Sequence, residues 1–375
     1  MGIGIPKDEA RTCDIMGCYE FLPKGKGCKT APAYINMLKP VELVFHNGKD
    51  PASDIACGIE TGELSEFKTF DSFYSAYIRQ LGNTIENVIK CVNDFEQYLS
   101  YISPAQVYSA SIENSLKIAK DAFHNGSVYC VSSILMAGFG TAVDALMAVK
   151  EFVFEKEELS LEEFRNAMRK NWKGHEKLRL KVLRSKKKFG NGIEAVDFYA
   201  EAIARYYANK INMRPNSRNG FYEASSHSAR TFITLAEKTG ATPDGRFAGE
   251  EMSKNISPTM GMDTNGVTAL VKSVTRIDSA LFPGDFPLDV MMHPATVQGV
   301  EGLAAMRTLL KTYMDKHGIA IHFNIFDPNV LLEAQKHPEK YEGLQVRVCG
   351  WNVRFNDIAK KEQDAYIKRA LSICE

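Results

Sequence analysis

The sequence predicts an α/β fold, and three observations carry that expectation. Ile319-Ala320-Ile321-His322-Phe323-Asn324-Ile325-Phe326 alternates as a strand does, and Gln345 to Asn356 alternates again around one glycine, Gly350. Several long stretches ahead of them carry helical periodicity instead. The 375 residues are 45% hydrophobic and 25% charged, close to the averages of folded globular chains.

The first stretch, to about Lys68, is rich in Gly, Pro and Cys and is expected to be irregular; such a long loop in a compact protein is usually functional. Leu81, Ile85, Val88, Ile89, Val92, Phe95 and Leu99 then recur at three- and four-residue steps, the mark of a long amphipathic helix. Val131 to Gly140 is too glycine-rich near its end to assign. Ser160 with Glu163 forms a capping box ahead of Phe164 and Met168, and Ile193, Val196, Ala200 and Ile203 continue the helical period. Thr242-Pro243-Asp244-Gly245-Arg246 is a turn. Thr268 is expected to cap a helix whose apolar face is Leu270, Val271, Val274 and Ile277. Val300, Leu303, Met306, Leu310 and Tyr313 outline another. A short helix from Pro328 to about Lys336 separates the two C-terminal strands, so they should form a βαβ unit with parallel strands. A last helix buries Tyr366, Ile367, Ala370 and Leu371. No repeat or linker divides the chain, which reads as one continuous unit.

Forty-six basic and forty-six acidic residues leave a formal net charge of zero, which argues against nucleic acid or a membrane surface as the main partner. The basic cluster Arg184 to Lys188 is expected to be a solvated helix end. No apolar run approaches the roughly 20 residues of a membrane span. Met1 to Pro6 has no basic segment before an apolar one, so no secretory signal is expected. Eight cysteines (13, 18, 28, 57, 91, 130, 349 and 374) are too sparse for a disulfide scaffold and are expected to be reduced thiols in the cytoplasm.

Chemistry could reside in a few places. In Met16-Gly17-Cys18-Tyr19-Glu20 a thiol and a carboxylate stand two residues apart. An extended loop would project Cys18 and Glu20 to one side; a buried cysteine beside a surface glutamate is the plainer alternative. A thiolate nucleophile would need a neighbouring base, and no histidine is near in sequence. Cys13, Cys18 and Cys28 fit zinc spacing poorly. Gly25-Lys26-Gly27-Cys28-Lys29-Thr30 breaks the phosphate-loop pattern at Cys28. His317 and His322 are expected to be a helix-end residue and a strand residue. Gly350 marks a bulge, a tight turn or a close backbone approach.

Several ordered blocks together resemble one family. Gly4-Ile5-Pro6, Glu9-Ala10-Arg11 and Gly17-Cys18-Tyr19-Glu20 resemble the active-site cysteine loop of the glycyl radical enzymes, the pyruvate formate-lyase-like family. Thr61-Gly62-Glu63 with Phe67 to Phe70, Ala241 to Arg246 leading to Ser257-Pro258 and Gly261-Met262-Asp263, and Ala334 to Tyr341 are similar to further family blocks. Arg347-Val348-Cys349-Gly350-Trp351 followed by Asn352-Val353-Arg354-Phe355 is similar to the family's C-terminal glycine fingerprint.

The resemblance implies that Gly350 stores an unpaired electron, delocalised over the flanking amide and carbonyl. That radical would take hydrogen from Cys18, leaving a sulfur radical to attack a substrate C–H bond. Members with a glutamate two residues after the cysteine look like eliminases, including glycerol, propanediol and hydroxyproline dehydratases and choline trimethylamine-lyase, with the carboxylate, here Glu20, as general base. Aryl-acetate decarboxylases of the family also carry the glutamate, so decarboxylation is the alternative reaction; the missing cysteine pair argues against acyl transfer from pyruvate. A separate radical S-adenosylmethionine activase would carry the iron–sulfur cluster, with no metal in this chain. The other expected partners are a small-molecule substrate and a second copy in a homodimer.

Tyr19, Phe21, Cys349 and Trp351 depart from the residues usual at those places, which bears on substrate more than on radical chemistry. Family members are roughly twice as long, and the resemblance covers their C-terminal half. The expected fold is therefore the C-terminal half of a ten-stranded α/β barrel. It would comprise a cysteine-loop region (1–68), a mainly helical body (69–318) and a glycyl radical domain (319–375). Half a barrel leaves sheet edges unpaired, which suggests as alternatives a split-enzyme subunit completed by a separate N-terminal-half chain, or a catalytically silent remnant.

Overall fold

A computed structural model describes residues 4–348 and 350–371; residues 1–3, Cys349 and Cys374 lie outside the described residues. The backbone of the fold is a row of parallel strands. β1 (Cys13–Met16) and β2 (Glu20–Pro23) form an antiparallel hairpin at its entrance. β3 (Gly27–Asn36), β4 (Tyr129–Ala137) and β5 (Phe221–Ser225) then pair in parallel in that order. β6 (Pro287–Met292) and β7 (Ala320–Ile325) form a second parallel pair. A parallel bridge from Ser225 to Asp285 joins the two sets. Five parallel strands thus lie in the order β3-β4-β5-β6-β7, with β3 and β7 at the ends.

β3 falls within the stretch expected to be irregular. Its Gly, Pro and Cys residues obscured it: the register slips between Thr30 and Ala33, and Pro32 sits in that irregularity on an end strand, where its missing N–H does least harm. β4 is central and buried from Cys130 to Ala137, so its apolar residues run without alternation. Gly138, at φ +77°, turns the chain from β4 into a helix. A Cβ on Gly140 would come within 2.7 Å of the Ser257 carbonyl. The glycines that blurred this stretch therefore serve a turn and a close approach.

Helices cross between strands and cover one face. They include α1 (Phe70–Glu96), α2 (Phe139–Val149, buried all round), α3 (Leu161–Arg169), α4 (Glu194–Ile211), α5 (Gly266–Val274) and α6 (Gly299–Asp315). The Ser160–Glu163 capping box starts α3 as expected. α5 begins at Gly266, so Thr268 lies within its first turn rather than capping it. On α6 only Tyr313 of the expected apolar face is buried, while Val300 and Leu303 are 86% and 69% exposed. Lys188, expected in solvent, is buried and donates from Nζ to the Asp244 carbonyl at 3.3 Å.

The expected βαβ unit is not formed. β7 takes β6 as its parallel partner, with Asp289 opposite His322 and Met291 opposite Asn324. β8 (Gln345–Val348) instead pairs antiparallel with β9 (Trp351–Arg354). Only residues 349 and 350 separate Val348 from its partner Trp351, and Gly350 at φ +106° supplies the left-handed backbone such a turn needs. α7 (Pro328–Lys336), the hairpin and α8 (Lys360–Leu371) share a small core of Leu331, Ala334, Val346, Phe355, Ile367 and Ala370. Met291 and Phe326 pack against that core and hold the hairpin on the strand row.

Away from the hairpin, one buried ion pair clamps four elements. Glu96, the last residue of α1, lies 3.2 Å from Arg218, just before β5, with both side chains at most 1% exposed. Thr30 of β3 and Ser132 of β4 donate to Glu96 at 2.5 and 2.6 Å. Removing one member strands the other charge in the core, so Glu96→Ala should destabilise the protein by about 3–5 kcal/mol. Urea denaturation would measure this; an unchanged midpoint would show that the pair contributes nothing.

Candidate active site

The β1–β2 hairpin positions the cysteine. Met16 pairs with Glu20, and the three residues between them form a tight turn rather than the extended loop that spacing alone suggested. Gly17 begins it at φ +63°. Glu20 folds back over the turn, and its Oε2 accepts the N–H groups of both Cys18 and Tyr19 at 2.9 Å. A Cβ on Gly17 would stand 2.8 Å from that oxygen. The carboxylate is thus fixed beside Cys18 by the backbone it caps.

Gly350 meets this turn from the opposite end of the chain. A side chain there would place its Cβ 2.3 Å from Cys18 Cβ and 2.5 Å from Cys18 Sγ. Only a hydrogen fits, and that hydrogen faces the cysteine side chain. Arg347 holds the turn by donating from Nη2 to the Gly350 carbonyl at 2.8 Å and from Nη1 to Asn352 at 3.1 Å. Cys18, Glu20 and Gly350, some 330 residues apart in sequence, are therefore brought together.

Electrostatics keep the thiol protonated. Burial pushes the Cys18 thiol up, and the carboxyl groups of Glu20 and Asp285 push it further, against a smaller opposing effect of Arg347. A protonated thiol suits hydrogen-atom transfer better than nucleophilic attack, which needs the thiolate.

Two residues of this cluster escaped sequence reasoning. Asp285, fully buried, accepts the N–H groups of Ser226 and His227 on Oδ1 at 3.0 and 2.9 Å. His227 is also buried, and Tyr19 meets its ring edge-on at 5.3 Å. One side-chain donor or acceptor atom from each of Glu20, His227 and Asp285 lies within 4.8 Å of the other two. Each carboxyl accepts two backbone N–H groups on one oxygen. Neither Asp285 nor His227 belongs to a periodic pattern; the bridge between Ser225 and Asp285 brings them in. The cysteines weighed for zinc are spread apart in role: Cys28 Sγ lies 3.4 Å from Cys130 Sγ, while Cys18 faces Gly350.

A second polar network lies on the same face of β6 and β7. Burial alone would raise the Asp289 carboxyl, but Lys254 and His322 outweigh it and hold it well below the usual carboxylate range. Lys254 Nζ and His322 Nδ1 each lie 2.9 Å from Asp289 Oδ1, and Asn255 donates to Oδ2 at 2.5 Å. His317 follows α6 and His322 lies on β7, the separate elements expected.

A glycine α-carbon seated on a protonated thiol, with a carboxylate fixed alongside, is suited to passing hydrogen between carbon and sulfur. Residues 1–235 match the family model "Pyruvate formate lyase-like", and residues 252–356 match "Glycine radical". The chain belongs to the glycyl radical enzyme family, and its α/β architecture is the fold of that family. It is 33% identical over 369 residues to trans-4-hydroxy-L-proline dehydratase of Clostridioides difficile, covering 98% of this chain and 47% of that one. It is 29% identical to (2S)-3-sulfopropanediol dehydratase of Klebsiella oxytoca, covering 98% and 45%. A solved structure concerned with 1,2-propanediol dehydration in Roseburia inulinivorans superposes with a TM-score of 0.92 at 32% identity, covering 98% and 47%. The chain thus spans about half the length of the curated relatives it matches.

Proposed function

We propose that this chain is the C-terminal catalytic part of a glycyl radical eliminase, a dehydratase or related C–O or C–N lyase acting on a small molecule. Gly350 stores the radical, Cys18 abstracts hydrogen from the substrate, and Glu20 is the general base. The contact at Gly350 carries this reading, because the only atom that fits between the glycine α-carbon and Cys18 is the hydrogen to be exchanged.

The steps follow from the residues. Cys18, having given its hydrogen to Gly350, takes one from the substrate carbon, so that an S–H bond forms as a C–H bond breaks. Glu20 accepts the proton of the hydroxyl on that carbon, which helps expel the hydroxide or amine from the neighbouring carbon. Cys18 then returns its hydrogen to the product radical. The protonated resting thiol suits both hydrogen transfers. The dehydratases among the relatives support elimination as the reaction class. On this reading residues 1–68 form the cysteine-loop region, 69–318 the body and 319–375 the radical domain of a cytoplasmic protein that works as a homodimer. A separate activase with S-adenosylmethionine and an iron–sulfur cluster installs the radical. Among the described residues no helix is long and apolar enough to cross a membrane.

Anaerobic activation of the intact assembly should produce a glycine-centred doublet in the electron paramagnetic resonance spectrum. Exposure to air should then cut the chain at Gly350, seen by mass spectrometry. A fully activase-treated sample with neither signal would refute the proposal.

One observation favours a further partner, a chain supplying the other half of the barrel. Among the described residues β3 and β7 each have one strand neighbour, and Val107 and Tyr101 stand 88% and 78% exposed. Native mass spectrometry of the protein purified from its own cells should show a second chain; a lone, stable homodimer with full activity would exclude it.

A further inference from the structure

The eliminase reading assigns a role to Glu20 but none to Asp285 or His227, although both are buried beside it. Glu20 is partly exposed at the front of the cluster, and Asp285 is 1% exposed behind it. One carboxyl oxygen of each, and a ring nitrogen of His227, lie within 4.8 Å of one another, so charge on Asp285 acts directly on Glu20. Two carboxylates at such range repel, and the first proton goes to the group that gains least from water.

We propose that Asp285 tunes how strongly Glu20 draws the proton of the substrate hydroxyl. The buried Asp285 holds a proton, with His227 beside both carboxyls, and losing it puts a negative charge beside Glu20 that strengthens this pull. Asp285 reaches no substrate and is a positioning residue; the bond made in the step is Glu20 O–H, and the bond broken is the substrate O–H. The inference rests on the role of Glu20 proposed above.

The surroundings of Asp285 agree with this. Burial pushes its carboxyl up, with Glu20 adding to the rise, to about 7 in spite of Ser225, Lys29 and the His227 N–H. The charged and titratable groups facing it are Glu20 and Cys18 from the cysteine turn, His227, Tyr207 of α4 and Lys29 of β3. Lys29 is itself held by Glu223 at 2.5 Å, with both side chains buried, so little positive charge remains to hold Asp285 ionised. Environments that drive two neighbouring acids apart are how one site keeps both a base and a proton-bearing group near neutral pH. Linkage gives the sign for stability. The folded carboxyl stands above its unfolded value, so its contribution is full at low pH and is lost as pH rises through about 7.

The test uses the activated assembly as wild type, Asp285→Asn and His227→Gln. Asparagine keeps an oxygen for the Ser226 and His227 N–H groups but cannot ionise. The infrared difference spectrum of resting wild type minus Asp285→Asn should show a protonated-carboxyl C=O band that fades as pH rises through about 7, with the band of the equally buried Asp144 cancelling in the subtraction. A difference spectrum without that band overturns the inference whatever the substrate. Turnover is followed with propane-1,2-diol, glycerol and trans-4-hydroxy-L-proline as probes. Wild-type kcat should climb through neutral pH. Asp285→Asn should lose that climb and run about three- to tenfold slower at its upper end, with KM within about twofold and an unchanged yield of glycyl radical. His227→Gln should shift the midpoint of the climb. A slower Asp285→Asn with the wild-type pH profile would mark a structural role and also overturn the inference. A wild type that carries the radical yet consumes no probe counts against the eliminase reading, and the infrared result then decides this one.

Discussion

Cys18→Ala should keep the glycyl radical after activation yet lose turnover by at least about 10⁶-fold, the loss that follows from the proposed role of Cys18 in hydrogen abstraction. The substitution deletes Sγ but preserves the Cβ on which Gly350 rests. Gly350→Ala should lose radical and turnover together. Its Cβ would fall 2.3 Å from that of Cys18, at a backbone φ of +106° that L residues rarely adopt, so the hairpin turn would have to move. Spin counting paired with product assay separates the two variants. A doublet surviving in Gly350→Ala, or turnover surviving in Cys18→Ala, would contradict the assigned roles.

Glu20→Gln should lower kcat by about 10²- to 10⁴-fold, the usual contribution of general acid–base catalysis, with the radical yield unchanged. Glutamine is the informative replacement, because Glu20 also accepts the N–H groups of Cys18 and Tyr19. An amide oxygen keeps that turn closed while removing the basic site. Glu20→Ala would lose both and could not distinguish them. A Glu20→Gln enzyme within about threefold of wild type would show that the carboxylate serves the turn alone.

The roles proposed for Cys18, Glu20 and Gly350 came from a family resemblance spread over several blocks of the chain, and the same three residues meet in the structure. Their spacing misled on local shape, however: Cys18 and Glu20 share a tight turn, not an extended segment. Gly350 had three plain readings, and two of them hold at once, a tight turn and a close approach. Periodicity found α1 and the capping box of α3 because those are settled within a few turns of helix. It missed β3, where Pro32 and the register slip hide a strand whose regularity comes from its neighbour β4. It also paired the wrong C-terminal strands, since alternation specifies a strand but not its partner.

The amino-acid sequence by itself determined the local requirements: a residue without a side chain at position 350, a thiol at 18, a carboxylate able to cap it at 20, and amphipathic helices to cover a sheet. Tertiary structure alone decided which strands are neighbours, and hence that Asp285 and His227 stand behind Glu20. The reason is physical. Helix periods, caps and turns are settled over a few residues, whereas burial and the coupling of charges depend on which distant segments exclude water from one another.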